Sequence, residues 1–226
     1  MSDLRPLGER AVREIAPGTV VGLGTGKAAT AFIHALGERV RAGLSVRGVP
    51  TSDASAALAR DLGIPLVDLA DVDAIDVDFD GADEVEPGCD LIKGYGGAMV
   101  REKIVAAAAK RFVVLVGDEK LVPVLGTRGK LPVEVVPFGL PVVRRKVAAL
   151  GYEPVLRADA GDPFVTDNGN LVIDVKLGPI PDAARLERDL LDIPGVVGTG
   201  LFLRTADLVL VQRGDGTVTE LRPTRT

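Results

Sequence analysis

Residues 76–84 read DVDFDGADE, five carboxylates in nine positions at the close of an apolar run. Such a cluster is either a solvated turn or a set of acids that something uses. The segment that follows, LIKGYGGAMVREKI (91–104), favours use. Lys93 precedes Gly94-Tyr95-Gly96-Gly97, a stretch whose glycines let backbone approach a ligand closely. Glu102 falls in the opening turns of the next helix. Its plain role there is to complement the helix dipole, paired with Arg101 or Lys103. Its chemical role would be that of a carboxylate base. Acids beside a lysine suit proton transfer next to a carbonyl, where one group takes the proton and others manage charge on oxygen.

A third stretch, GLGTGKAAT (22–30), sets alternate glycines between a strand and a helix. That arrangement presents free N–H groups to an anion. A Walker A loop would need Gly at 21 and Ser or Thr at 28, where the chain has Val21 and Ala28. A dinucleotide fingerprint would need Gly at 27 and an acid ending the second strand. The chain has Lys27, and its second strand runs into Thr51-Ser52. What remains is a general phosphate cradle or a merely tight turn, with Lys27 adding a cation or pointing to solvent.

Composition narrows the classes. The 226 residues are 46% hydrophobic and 26% charged, enough for one large domain or a medium and a small one. The net charge of −5 provides no basic field for nucleic acid. Cys89 and His34 are the single cysteine and histidine, so an intrachain disulfide and a Cys/His zinc site are both ruled out. His34 reads as structural, Cys89 as a thiol without a histidine partner. Arg144-Arg145-Lys146 reads as a solvated helix face or the lining of a cleft. The N-terminal stretch has the pattern of an amphipathic helix and no signal-like apolar region. No run approaches a membrane span. A cytoplasmic location is expected.

The positioning elements alternate in the first half. Helical spacing from Leu4 to Ile15 leads to the strand at 19–23 and a helix over about 27–42. Strand LSVRGVP, helix SDASAALARDLG, strand IPLVDL and the acidic strand 74–79 come next. An Ala-rich helix at 99–111 carries Lys110 and Arg111 in its last turn, and FVVLVG is an apolar strand. This rhythm predicts a parallel sheet covered on both faces. From about residue 130 the order becomes β-α-β-β-α-β, a split βαβ layer. In it VVGTGLFL is one strand, and Asn168-Gly169 suits a type I′ turn. The tail ADLVLVQRGDGTVTEL is a hairpin returning to the first sheet. The expected fold is α/β: a mostly parallel Rossmann-like sheet with helices on both faces (1–129 and 204–226) and a smaller α+β, ferredoxin-like domain (130–203). The Gly24–Gly26 loop, Thr51-Ser52, Asp80 and Asp83 then meet at the carboxyl ends of parallel strands, where ligands bind. Asp76 and Asp78 read as strand exterior.

In this order and spacing, GLGTGKAAT, DGADE, IKGYGGA, REKI, LPVEVVPF, VTDNGN and IPGVVGTGLF resemble the type A ribose-5-phosphate isomerases. The resemblance covers nearly the whole chain, and the DGADE, KG-x-GGA and REKI combination is specific. It implies a cofactor-free, metal-free aldose–ketose isomerase of the non-oxidative pentose phosphate pathway, working as a homodimer or tetramer on a sugar phosphate. Glu102 falls on the family's catalytic base. Asp80, Gly81, Ala82 and Asp83 fall on one substrate loop, and Lys93, Gly94, Tyr95 and Gly96 on a second. Lys120 matches a substrate-binding lysine, and Thr25, Gly26, Lys27 and Ala28 the first glycine loop. In the implied mechanism Glu102 carries a proton between C2 and C1 through a cis-enediolate, while Lys93 with Asp80 or Asp83 manages charge on oxygen and ring opening.

The chain departs from the family pattern at three places. Lys27-Ala28 replace a common Ser-Thr, removing two hydroxyls whose work backbone N–H groups and the Lys27 charge would take over. Tyr95 stands where glycine is common, which would narrow the pocket. Asp78 replaces a more usual apolar residue. The competing readings are a deaminase, lactonase or acyl-CoA transferase on the same scaffold, which should lack the three-motif combination, and a sugar-phosphate sensor module. The sensor would need a DNA-binding extension that the chain does not show.

Overall fold

A computed structural model describes residues 3–223. In chain order its elements are α1 (Arg5–Ala11), β1 (Thr19–Leu23), α2 (Lys27–Arg41), β2 (Val46–Pro50), α3 (Asp53–Asp61), β3 (Val77–Gly81), β4 (Glu84–Val85), β5 (Leu91–Ile92), α4 (Met99–Ala108) and β6 (Phe112–Gly117). They continue as β7 (Lys130–Val135), α5 (Leu140–Ala149), β8 (Glu153–Leu156), β9 (Ala158–Asp159), β10 (Asp162–Pro163), β11 (Leu171–Lys176), α6 (Ala183–Leu191), β12 (Val196–Thr199), β13 (Leu201–Phe202), β14 (Leu208–Gln212) and β15 (Val218–Leu221). Two compact units result. The first comprises the residues up to Ala82, Arg101–Leu121 and those from Arg204 onward; the second comprises Asp83–Val100 and Val122–Leu203.

The first unit is built on a sheet of order β15-β14-β6-β3-β1-β2, parallel except for the β14–β15 hairpin. Alternation along each strand sorts side chains between two faces. Val21, Leu23, Val77, Phe79, Val113 and Leu115 pack on one face against Leu7, Phe32, Ile33 and Leu36 of α1 and α2. The Phe32 and Phe79 rings stack with centroids 4.3 Å apart. On the other face Val20, Val49 and Ile75 gather with Val105 of α4. Because β1 lies between β2 and β3, the chain leaves β1 to one side and later returns to the other. The gap between the β1 and β3 ends is therefore a topological switch point.

The second unit has a four-stranded sheet of order β12-β7-β11-β8, antiparallel throughout. Strand β11 separates β7 from β8, so the α5 connection skips a strand as the split βαβ pattern requires. Val133, Val135, Ile173 and Val175 meet Val143, Val147, Leu186 and Leu190 in its core. A three-stranded ribbon of order β13-β5-β4 completes it.

The structure differs from the sequence expectations in several details. Residues 83–100 and 122–129 group with the second unit because β4 and β5 pair toward β13, and Ile92, Val122 and Leu125 join its core. Residues 1–2 and 224–226 of the expected main domain lie outside the described residues. The segment 64–69 makes only the bridge Gly48 to Leu66, not a strand. It turns at once into a short 3-10 helix capped by the Asp68 side chain. Helix α4 ends at Ala108, ahead of Lys110 and Arg111, which instead pair with Asp76 and Glu14. The run 196–203 breaks at Gly200 into β12 and β13, which pair with different strands. Gly200 donates its N–H to Pro132 O and accepts from Lys93 N, so the break links both ribbons. Gly169 has φ +77 while Asn168 has no positive φ, which excludes a type I′ turn.

Candidate active site

In the first unit, β1 and β3 are spaced by carboxylates. Asp76, just before β3, and Asp78 and Asp80 within it alternate along one face, beside Val20 and Gly22 of β1 and Gly24 just past its end. Asp76 Oδ2 accepts from Val20 N at 2.9 Å. A Cβ on Gly22 would collide with the Asp78 carboxylate, and one on Gly24 with that of Asp80. Asp78 is fully buried, which corrects the reading of it as strand exterior; the room left by Gly22 is what admits it. Asp76 does reach solvent. Its carboxyl is held below the ordinary range first by the Lys110 ammonium and then by the Val20 amide.

Asp80 organises the glycine loop. Its Oδ1 accepts from Thr25 N at 2.9 Å and from Gly81 N at 2.7 Å, while Gly24 N donates to Phe79 O at 2.9 Å. The loop then turns at Gly26, whose φ of +94 is open only to glycine, and enters α2 at Lys27. The first turn of α2 carries no acid, so its exposed N–H groups and dipole favour an anion. A Cβ built on Gly81 would lie 3.7 Å from Thr25 O and 3.9 Å from the Ala28 side chain. The structure thus brings Thr25, Gly26, Ala28, Asp80 and Gly81 together. Lys27 and Gly26 also line a cleft with Arg5, Thr30, His34 and Glu38. His34 is exposed there, not part of the core.

Behind the loop lies a hydroxyl cluster. Thr25 Oγ1 is 2.8 Å from both Thr51 Oγ1 and Ser52 Oγ, and 3.3 Å from Ser55 Oγ. Ser55 donates to Gly24 O at 2.6 Å, and Thr51 to Leu23 O at 3.1 Å. Ser52 caps α3 by accepting from Ser55 N. With Lys27-Ala28 in place of two hydroxyls, Thr25 holds the one hydroxyl of residues 25–28, and it is turned into this scaffold. Sequence reasoning noted Thr51-Ser52 as a converging loop; it missed Ser55, whose signal is its place three residues after the cap.

Glu102 stands in the first turn of α4 and is 4% exposed. Its neighbour Arg101 is occupied elsewhere, donating to Asp53 at the start of α3 at 2.8 Å. Lys120 closes a 3-10 turn at the carboxyl end of β6.

In the second unit, Asp83 Oδ2 accepts from Tyr95 N at 2.9 Å. Lys93 is 2% exposed, with Nζ 5.4 Å from the Phe202 ring centre. Tyr95 does not stand open as a narrowing side chain. Its ring packs into the unit's core, 4.3 Å beneath Lys130 Nζ, and its hydroxyl donates to Lys130 O. Burial, then the Glu84 and Asp83 carboxylates, push its phenol well above the usual range, so it stays neutral. Arg157, which sequence reasoning passed over, donates to Gly94 O at 2.9 Å and Tyr95 O at 3.1 Å. Gly94 and Gly97 have φ of +98 and +86 and carry Met99 and Phe164 where side chains would be. Cys89 is buried; burial, with Asp90 and Glu86, raises its thiol pKa and opposes thiolate chemistry. Arg144, Arg145 and Lys146 form an exposed face of α5. Among the described residues, no cluster of three His, Cys, Asp or Glu is placed to hold a metal, and no helix is long and apolar enough to cross a membrane.

Known proteins share this arrangement over nearly the whole chain. The family model for ribose 5-phosphate isomerase A (phosphoriboisomerase A) matches residues 47–216. A ribose-5-phosphate isomerase A from Roseiflexus sp. (strain RS-1) is 51% identical over 213 residues, covering 93% of this chain and 91% of the relative. The solved ribose 5-phosphate isomerase A of Methanocaldococcus jannaschii superposes with a TM-score of 0.92 at 45% identity, covering 97% of this chain and 98% of that one. A D-ribose-5-phosphate isomerase solved in complex with phospho-erythronic acid gives a TM-score of 0.92 at 39% identity, with 97% of each chain covered.

Proposed function

Because this chain belongs to the ribose 5-phosphate isomerase A family, we propose that it is an aldose–ketose isomerase interconverting D-ribose 5-phosphate and D-ribulose 5-phosphate. The observation that carries this reading is the switch point of the first unit. There an acid-anchored glycine loop and the start of α2 offer N–H groups to a phosphate. The relative's ligand supports it, since phospho-erythronic acid joins a phosphate to a carboxylate on a hydroxylated chain, the charge pattern of a sugar-phosphate enediolate.

The sugar opens to its chain form, with its phosphate on residues 24–28 and Lys120 adding a cation. Glu102 takes the proton from C2 of the aldose and delivers one to C1, and a cis-enediolate lies between the two transfers. Negative charge grows on the carbonyl oxygen as the first proton leaves. Lys93 stabilises that charge, one of the acids Asp80 or Asp83 in its protonated form donates a proton to the oxygen, and the same acids assist ring opening. A buried carboxylate is well suited to the base's task, since water does not compete for its lone pairs. The family's metabolic role supports a cytoplasmic location, and the likeness to that family a homodimeric or tetrameric assembly, which light scattering would read.

The test is incubation with ribose 5-phosphate in heavy water, following ketose absorbance and the label. Turnover should place solvent deuterium on the reacting carbon of the product. Binding without turnover would favour a sensor, and complete retention of the original hydrogen would point to hydride transfer.

A further inference from the structure

Resting on the roles proposed above for Asp83 and Lys93, we propose that Arg157 is a positioning residue for the reaction. Its guanidinium fixes the Gly94 and Tyr95 peptides and, through the Tyr95 amide, the Asp83 carboxylate.

The loop from Lys93 to Gly97 closes one hydrogen bond of its own, from Gly97 N–H to Gly94 O at 3.0 Å. Gly94, Gly96 and Gly97 leave its backbone broad freedom, and two of them hold a positive φ. The rest of its shape must therefore come from what binds it. Arg157 Nη1 donates to two successive carbonyls, Gly94 O at 2.9 Å and Tyr95 O at 3.1 Å. Two carbonyl dipoles converging on one point repel unless a cation lies between them.

The other side of the same guanidinium is anchored. Nε donates to Asp174 Oδ2 at 3.1 Å and Nη2 to Asp174 Oδ1, a two-pronged match of fork to carboxylate. Asp174 belongs to β11, opposite Val155 and Pro132 on the flanking strands. The Arg157 backbone is held as well, with its N–H on Val172 O and its carbonyl accepting from Phe164 N. The Phe164 ring lies 5.7 Å from the guanidinium carbon and presses on Gly97. The Arg157 side chain is only 11% exposed.

The chain of contacts ends on a reacting group. Asp174 holds Arg157, Arg157 holds the Tyr95 peptide, and Tyr95 N–H fixes Asp83 Oδ2 at 2.9 Å. Lys93 is the residue immediately before the first clamped carbonyl, and its own N–H is held by Gly200 O at 2.8 Å. A lysine at 157 could reach one carbonyl or Asp174 but could not span all three acceptors, because an ammonium lacks the planar fork.

The experiment compares wild type, Arg157→Lys and Arg157→Ala on ribose 5-phosphate, with melting temperature read alongside. Arg157→Lys keeps a charge facing Asp174 and should melt near wild type while losing about 10- to 100-fold in kcat, the scale of a misplaced reacting group. KM should change much less. Millimolar methylguanidinium should restore part of the kcat of Arg157→Ala, which a purely structural defect would not show. If Arg157→Ala does not fold because Asp174 keeps only Lys130, 3.6 Å away, pairing it with Asp174→Asn removes the half-buried charge and keeps the comparison open. A folded Arg157 variant with wild-type kcat, or a loss that only tracks the folded fraction and resists methylguanidinium, overturns the proposal. Wild type without turnover would instead sink the isomerase reading on which it rests.

Discussion

Asp80 fills the space that a side chain on Gly24 would occupy. Its Oδ1 caps the amides of Thr25 and Gly81, so one buried carboxylate fixes the loop after β1 and the end of β3 together. The two glycines of the loop are needed for different reasons. Gly24 has an ordinary φ and no room; Gly26 has room and a φ of +94.

Gly24→Ala and Gly26→Ala should therefore fail differently. The first forces Asp80 to move, with an overpacking cost of about 1–3 kcal/mol and a rise in KM as the phosphate loop shifts. The second should cost a similar ~1–3 kcal/mol as backbone strain, while leaving Asp80 in place. Urea titrations give the stabilities. Competition by inorganic phosphate gives the loop, and an unchanged phosphate inhibition constant in Gly24→Ala would count against the cradle.

Glu102→Gln keeps shape and most of the polarity of a nearly buried side chain but removes the base. Turnover should fall by about 10²–10⁴-fold, with the substrate still bound and the melting temperature little changed. A variant that isomerises at the wild-type rate would move the base assignment to another acid.

The contrast between Gly24 and Arg157 shows what the sequence could disclose. Gly24, Gly26, Asp80 and Glu102 sit within short motifs at element ends, where local geometry dictates residue type, so their neighbourhood was legible. Arg157 acts on backbone carbonyls 63 and 62 residues away. A carbonyl acceptor belongs to every residue and leaves no mark in the chain. Asp78 misled for a related reason: strand alternation assigns a carboxylate to solvent unless the partner across the sheet is known to be Gly22. The parallel sheet and the split βαβ layer were legible because their strands are long enough to show periodicity. The two-residue strands β4, β5 and β13 show none, and it is they that carry residues 83–100 into the second unit.

Glu14 ties α1 to the sheet and should set part of the acid stability of the first unit. Its Oε1 accepts from Arg10 at 2.7 Å and its Oε2 from Arg111 at 2.8 Å. Burial pushes its carboxyl up, but the Arg10 and Arg111 hydrogen bonds outweigh this and hold it below the ordinary 4.5. A carboxyl that binds its proton less tightly when folded stabilises fully above the unfolded value, and that contribution fades as pH drops through the lowered folded value. Glu14→Gln should thus cost about 1–3 kcal/mol at neutral pH, with the gap from wild type closing well below 4.5. Melting curves across that range decide it; a gap independent of pH would assign the loss to packing.

Glu134 offers the sharpest stability test in the second unit. It is fully buried on β7, and its Oε1 gathers Thr166 Oγ1 at 3.1 Å, Asn168 Nδ2 at 3.0 Å and Asn170 Nδ2 at 2.8 Å. Those three donors shape the turn before β11, where Thr166 also accepts from the Asn168 and Asn170 amides. Glu134→Ala takes the shared acceptor from all three donors, leaving buried Thr166 and half-buried Asn170 the worst served, and should cost on the order of 3 kcal/mol. Glu134→Gln keeps one acceptor oxygen in place and should cost about 1 kcal/mol. Hydrogen exchange at Asn168 and Asn170 should speed up in the alanine variant and change little in the glutamine one. Equal losses in both variants would show that the charge itself, not the shared oxygen, holds the turn.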